Sequence, residues 1–280
     1  MTADTLGWLF GALVTLLVGA LLVHGWRRRR LELATQTQPF PDAWRAVLAA
    51  TVPLYRRLPD ELRSRVERAA LTFLSRVEFR GCNGLQVTDE MRAIVAVQAA
   101  LLLVNRNIDL YRRLRAVLLY PDVFIVPIEE QDEAGVVTEG KDVLSGQSIE
   151  TDVIVLSWPD VLAPQDHNGG ASGTNLVLHE CAHFLDHVAG GTLSSRPGHH
   201  RSASNWHDVL ETEYTRLCRA VDAGTPSLID PYGSEDPTEF YAVATEAFFE
   251  RSAALEEQNP ELYGLLREFY ALDPARWRTS

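Results

Sequence analysis

Residues 173–186 read GTNLVLHECAHFLD, and the pattern His179-Glu180-Cys-Ala-His183 inside them restricts the fold more than any other feature of the chain. Side chains four residues apart share a face on an α-helix, so His179 and His183 can grip one metal ion only if this stretch is helical. Glu180 then lies beside them, placed to take a proton from water. Asn175 is the expected cap of this helix, behind a turn carrying Gly169, Gly170 and Gly173. Two solvated histidines on an amphipathic helix would be the bland alternative. Leu176, Val177, Leu178, Phe184 and Leu185 argue against it, because they make the helix largely apolar and buried polar side chains need partners.

A working zinc ion takes three protein ligands and keeps its fourth position for water, so a third ligand has to come from elsewhere in the chain. The metzincin continuation is excluded, since Asp186 and Ala189 stand where that class has Gly and His. His187, His199, His200 and His207 qualify on composition alone. His187 follows too closely on the same helix, and His199-His200, between Pro197-Gly198 and Arg201, reads as a solvated loop pair. Better candidates are the carboxylates of residues 230–246, DPYGSEDPTEFYAVATE. Pro237 suits a first helical turn with Asp236 as its cap, which puts Glu239 in that turn and Glu246 two turns on along the same side. Glu239, Glu246 and Asp230 all stay open as the third ligand on this reading, with one Zn2+ expected per chain.

The N-terminus imposes a separate constraint. Residues 6–26, LGWLFGALVTLLVGALLVHGW, are apolar except for Thr15 and His24, and Arg27, Arg28, Arg29 and Arg30 follow at once. A run of 21 residues is long enough to cross a hydrocarbon core as a helix, which takes about 20. A secretory signal would carry its basic residues before the apolar run rather than after it. The positive-inside rule places the four arginines in the cytoplasm, with Trp8 and Trp26 as interfacial anchors. The expected organisation is a transmembrane helix at 6–26, a basic and polar linker at 27–41, and a catalytic domain at 42–280.

Charge and cysteine content narrow the function classes. With 26 basic against 38 acidic residues the net charge is −12, which excludes direct nucleic-acid binding. Cys82, Cys181 and Cys218 have no paired spacing, so neither a disulfide framework nor a CxxC zinc site is supported and a reducing compartment is expected.

Periodicity predicts helices at 44–50, 53–58, 60–77, 175–189, 204–222, 237–254 and 260–271, with another opening at Thr88 or Asp89 and running to 104. Residues 78–87 read as a hairpin around Asn83-Gly84, and 120–126, 135–139 and 151–157 as strands. The fold class is therefore α+β, mainly helical with a small β-sheet.

The segment GTNLVLHECAHFLD, then IDPYGSEDPTEFYAVATEAFFE, then a proline-bounded terminal helix ending YALDP resembles the bacterial Mlc titration factor A family of zinc metallopeptidases. The resemblance runs from about residue 44 to 274 and takes in LLYPDVFIVP and VIVLSWPDVL. Tyr232-Gly233 followed by Glu239-Phe240-Tyr241-Ala242 is similar, more distantly, to the anthrax lethal factor catalytic domain, where a Tyr precedes a glutamate ligand by the same spacing. The resemblance implies a zincin-like metallopeptidase domain with His179, His183 and Glu239 as zinc ligands and Glu180 as general base. It further implies Tyr232 as the phenol that steadies the oxyanion, and Glu246 as a residue behind the ligands. The substrate would be a peptide or protein, taken by endo- or aminopeptidase chemistry and laid along the edge of the strand at 153–157. The setting would be the bacterial inner membrane, single-pass, with the catalytic domain cytoplasmic. The family name carries a second expectation, a regulatory binding protein that sequesters a transcriptional repressor, with hydrolysis secondary. A structural zinc site is disfavoured, because such sites close with four protein ligands that usually include Cys, and Cys181 is rotated away from the histidine face.

A reporter fused after Ser280 is expected to behave as cytoplasmic. Activity there of a reporter that matures only in the periplasm would reverse the orientation.

Overall fold

The structure, a computed structural model, describes residues 38–106, 108–122, 128–131, 137–140, 152–163, 174–191 and 203–277. The expected membrane segment at 6–26, nearly all of the linker, the glycine turn at 169–173 and His199-His200 lie outside them. Among the described residues no helix is long and apolar enough to cross a membrane.

The opening is helical, as the periodicity predicts: α1 (Asp42–Thr51), α2 (Pro53–Arg57) and α3 (Asp60–Arg76). Prolines punctuate it. Pro53 and Pro59 push the residues before them out of helical backbone and end α1 and α2. Leu62, Val66, Ala70 and Phe73 put one apolar face of α3 into the core. Glu67, buried on the same helix, takes Arg45 Nε and Nη2 at 2.9 and 2.8 Å and Tyr55 Oη at 2.6 Å, tying α1 and α2 to α3.

After α3 comes β1 (Glu78–Gly81) and the expected turn, with Asn83 and Gly84 at φ 49° and 83°. The hairpin expected at 78–87 does not form. The chain after the turn makes no strand, and β1 pairs in parallel with β2 (Ala116–Tyr120). A Cβ on Gly81 would stand 1.9 Å from the Leu85 carbonyl oxygen, so the returning chain folds across the end of β1 instead of running beside it. Next is α4 (Asp89–Leu103), capped by the Thr88 hydroxyl and buried at every residue from Ala93 to Leu103. A 3-10 turn, Ile108–Arg113, leads into β2. Strand β2 ends at Tyr120, where Pro121, with no N–H to give a ladder, closes it; of the strand expected at 120–126, residues 123–126 lie outside the described residues. Strands β3 (Ile128–Gln131) and β4 (Val137–Gly140) form a separate antiparallel pair, and β5 (Val153–Ser157) joins β2 in parallel to give the order β1-β2-β5.

A short α5 (Trp158–Val161) precedes α6 (Leu176–Val188) and α7 (Ala203–Asp222), then a 3-10 turn Pro231–Ser234, α8 (Pro237–Glu250), α9 (Ser252–Gln258) and α10 (Pro260–Tyr270). The continuous helix expected at 237–254 is broken at Arg251, whose backbone leaves the helical region and whose guanidinium donates to the Leu228 carbonyl at 2.8 Å. Helix α8 is buried from Phe240 to Glu250, and α6 packs against α8, α4 and β5. Mainly helical with a small parallel sheet, the architecture is α+β.

Burial alone would raise the Glu67 carboxyl, but the hydrogen bonds from Arg45 and Tyr55 outweigh it and hold the group below the ordinary carboxylate value. A carboxyl depressed in the folded state contributes its stability in full above an unfolded pKa of about 4.3, and loses it as pH falls through the folded value. Glu67→Gln is expected to cost about 1–3 kcal/mol at neutral pH and to lose less stability than wild type between about pH 5 and 3. Urea midpoints across that range measure both, and equal acid slopes would refute the linkage.

Candidate metal centre

Caps place the two helices that carry the site. Asn175 Oδ1 accepts from Leu178 N at 3.1 Å and starts α6 so that His179 and His183, one turn apart, leave the same face. Asp236 Oδ1 accepts from Thr238 N and Glu239 N at 2.6 and 3.0 Å, which fixes Glu239 in the first turn of α8. The packing of α8 on α6 then closes the cluster. His179 Nε2 and His183 Nε2 are 2.9 Å apart, and Glu239 Oε2 lies 3.1 and 3.3 Å from them.

The arrangement fits a metal ion on its own chemistry. His179 Nδ1 faces Glu246 Oε1 at 2.7 Å, and an N–H there leaves the Nε2 lone pair pointing at the centre. Glu239 Oε2 is buried and has no hydrogen-bond partner. Two imidazole nitrogens and a carboxylate oxygen thus converge on one point, a donor set that fits a cation, and among the described residues they form the group able to hold one. The electrostatics agree. Burial works to lower His179, yet the facing Glu239 and Glu246 carboxylates outweigh it and hold the imidazole up to about 10. Burial works to raise Glu239, yet the facing imidazoles of His179 and His183 outweigh it and hold it down at about 2. Both shifts arise from the same close approach of carboxylate and imidazole.

The other expected residues surround this cluster. Glu180 is 5% exposed, and burial, first of several causes, raises its carboxyl. Tyr232, 42% exposed, stands with its ring 6.1 Å from the His179 ring. Burial and the nearby Glu239 push its phenol up to about 12, so it remains a donor at neutral pH. Its turn lies against α8 because residue 233 is glycine: a Cβ there would meet Val243 Cγ2 at 2.4 Å. Asp230 is brought near but used as a cap, accepting from Tyr232 N at 2.9 Å. Glu246 sits behind His179, and burial, its largest influence, raises it against the hydrogen bond from His179. His187 is exposed at the end of α6, and His207 lies on α7 beside Glu211 at 3.4 Å, so neither joins the cluster. Cys181 is buried with its thiol pushed up to about 12 by burial, next to Tyr111 rather than the histidines.

Three residues at the site escaped the sequence reading: Gln98, Glu250 and Arg57. Glu250 left a signal, since it extends the Glu239 and Glu246 stripe by one further turn of the same helix face. Gln98 and Arg57 left none, because each lies in a segment distant along the chain.

Residues 23–271 match the family model described as glucose-regulated metallo-peptidase M90. The chain is similar to an uncharacterized protein of Synechocystis, 33% identical over 252 residues that cover 89% of each chain. It is also similar to Mlc titration factor A of Pectobacterium atrosepticum, 35% identical over 236 residues, 83% of this chain and 87% of that one. With Mlc titration factor A of Serratia proteamaculans it shares 32% identity over 252 residues, 89% of this chain and 92% of the other.

Because Glu246 meets His179 at the far nitrogen rather than at Nε2, Glu246→Gln is expected to weaken metal binding by about 10–100-fold. Glu239→Gln should weaken it further. Competition against a chelator measures both, and the reverse order would make Glu246 the ligand.

Proposed function

The chain belongs to the glucose-regulated metallo-peptidase M90 family, and on that basis we propose that it hydrolyses peptide bonds as a zinc-dependent metallopeptidase, with one Zn2+ held by His179, His183 and Glu239. The observation that carries this reading is the Glu239 oxygen, buried and without a hydrogen-bond partner, facing two imidazole nitrogens. Zinc in that setting lowers the pKa of a water molecule towards about 7 and polarises a carbonyl.

The chain's own residues supply the rest. Glu180, adjacent to the first ligand and buried, takes the proton from the attacking water and returns it to the leaving amine. Its raised carboxyl suits both halves of that exchange. Tyr232 donates its hydroxyl to the carbonyl oxygen as charge develops there. Strand β5 is supported as the substrate platform by its place at one edge of the sheet, beside α6; among the described residues it pairs only with β2. An extended peptide added to that edge would be held mainly by backbone hydrogen bonds.

The apolar run at 6–26 and Arg27 to Arg30 support a single-pass anchor with this domain on the cytoplasmic side. A second reading is favoured by the relatives named Mlc titration factor A: the chain titrates a transcriptional repressor, with hydrolysis secondary.

Glu180→Gln is expected to keep its zinc and lose hydrolysis by about 10² or more, and Tyr232→Phe to keep zinc and lose rate. Peptide turnover and elemental analysis of the same preparations test this. Wild-type turnover by Glu180→Gln would remove Glu180 as the base, and a full regulatory effect from the inactive protein would favour the second reading.

A further inference from the structure

Asn175 does more than cap α6. It is 2% exposed; its carbonyl accepts from His179 N, and its backbone N–H and side-chain NH2 are turned toward other helices of the site. Its side-chain oxygen takes the Leu178 N–H, which leaves both amide hydrogens for Gln98 Oε1 at 2.7 Å and Glu250 Oε1 at 2.8 Å. Its backbone N–H donates to Glu246 Oε2, the carboxylate whose other oxygen meets His179 Nδ1. The partners are themselves held. Gln98 Nε2 donates to the Ile94 carbonyl at 3.1 Å, which turns its oxygen toward Asn175. Glu250 Oε2 pairs with Arg57 Nη2 at 3.1 Å, and Arg57 also donates to the Phe249 and Glu250 carbonyls at 2.9 and 3.3 Å. One buried side chain therefore joins α4, α6 and α8 at the point from which His179 is aimed.

Resting on the metallopeptidase reading above, we infer that Asn175 and Glu250 are positioning residues for the metal centre, acting through Glu246 to set where His179 presents Nε2. Ser or Asp would cap α6 as well as Asn does, so the cap alone does not call for an amide. What the amide adds is two further donors at hydrogen-bond distance, one of them to the carboxylate that also holds Arg57. Asp at 175 would place a third carboxylate beside Glu246 and Glu250 with no hydrogen to give. On α8, Glu239, Glu246 and Glu250 fall within about 40° of one another around the helix, so a shift of Glu250 moves Glu246 along the line that ends at the ligands.

The test uses the full chain carrying Asn175→Ser, which keeps the cap, and Glu250→Gln, which keeps the packing, with Thr88→Ala as a cap deletion remote from the site. Zinc affinity is read by chelator competition and ligand geometry by the visible spectrum of the cobalt(II)-loaded protein, beside thermal midpoints. The expected result is a loss of zinc affinity of about 10–100-fold and an altered cobalt spectrum in both site variants, with neither change in Thr88→Ala even where its midpoint falls as far. Should Asn175→Ser fail to fold, Glu250→Gln decides. Wild-type affinity and spectrum in the site variants would overturn the positioning role alone. A wild-type chain that takes up no zinc would overturn the functional reading itself.

Discussion

The hydrogen bond between Glu246 and His179 Nδ1 is the contact on which the site turns, because it reaches from α8 to α6 between two buried polar side chains. The apolar and aromatic residues around it would tolerate small slips in register. A buried carboxylate meeting an imidazole does not, since a displaced charge loses its partner and keeps its desolvation penalty of several kcal/mol. The same bond selects which histidine nitrogen is free. By occupying Nδ1 it leaves Nε2 to face Glu239 and His183, so a packing contact between helices decides the chemistry at the centre.

Four carboxylates are brought into one small region by this arrangement: Glu180, Glu239, Glu246 and Glu250, the last three from a single helix face. Their mutual repulsion is offset in three different ways. Glu250 has Arg57, Glu246 has His179 and the Asn175 backbone, and Glu239 has the two imidazoles and whatever cation they hold. Glu180 has no cationic side chain of its own beyond the histidines, and burial raises its carboxyl, as it raises those of Glu246 and Glu250.

The aromatic core behind α8 keeps that helix from moving. Tyr241, Phe248, Phe249 and Tyr270 are fully buried, and the Tyr270 hydroxyl is shared with Tyr241 at 3.0 Å and Thr245 at 2.9 Å. These contacts lie on the face of α8 opposite the glutamate stripe, so the helix is clamped from one side by packing and from the other by polar bonds. Gly233 completes the clamp by letting the Tyr232 turn press directly against Phe240 and Val243.

Much of this was legible before any coordinates. The HExxH spacing, the Asn175 and Asp236 caps and the proline boundaries of the opening helices depend on neighbours within a few residues, and local backbone rules act over that range. The same rules misread the chain at Gly81, where an Asn-Gly turn announced a hairpin, and at Arg251, where an unbroken apolar pattern concealed a break. In both places a distant contact overrode the local preference: the parallel pairing of β1 with β2, and the bond from Arg251 to Leu228. From spacing alone Glu239, Glu246 and Asp230 all stayed open, and only the packing of α8 on α6 brought Glu239 to the two imidazoles and Glu246 behind His179. The sequence by itself determined which side chains could bind a metal, because ligand type and helical spacing are local properties. Tertiary structure alone decided which atoms meet, and joined Gln98 and Arg57 to the site, because a hydrogen bond between residues 75 to 193 apart in the chain leaves no periodic trace along it.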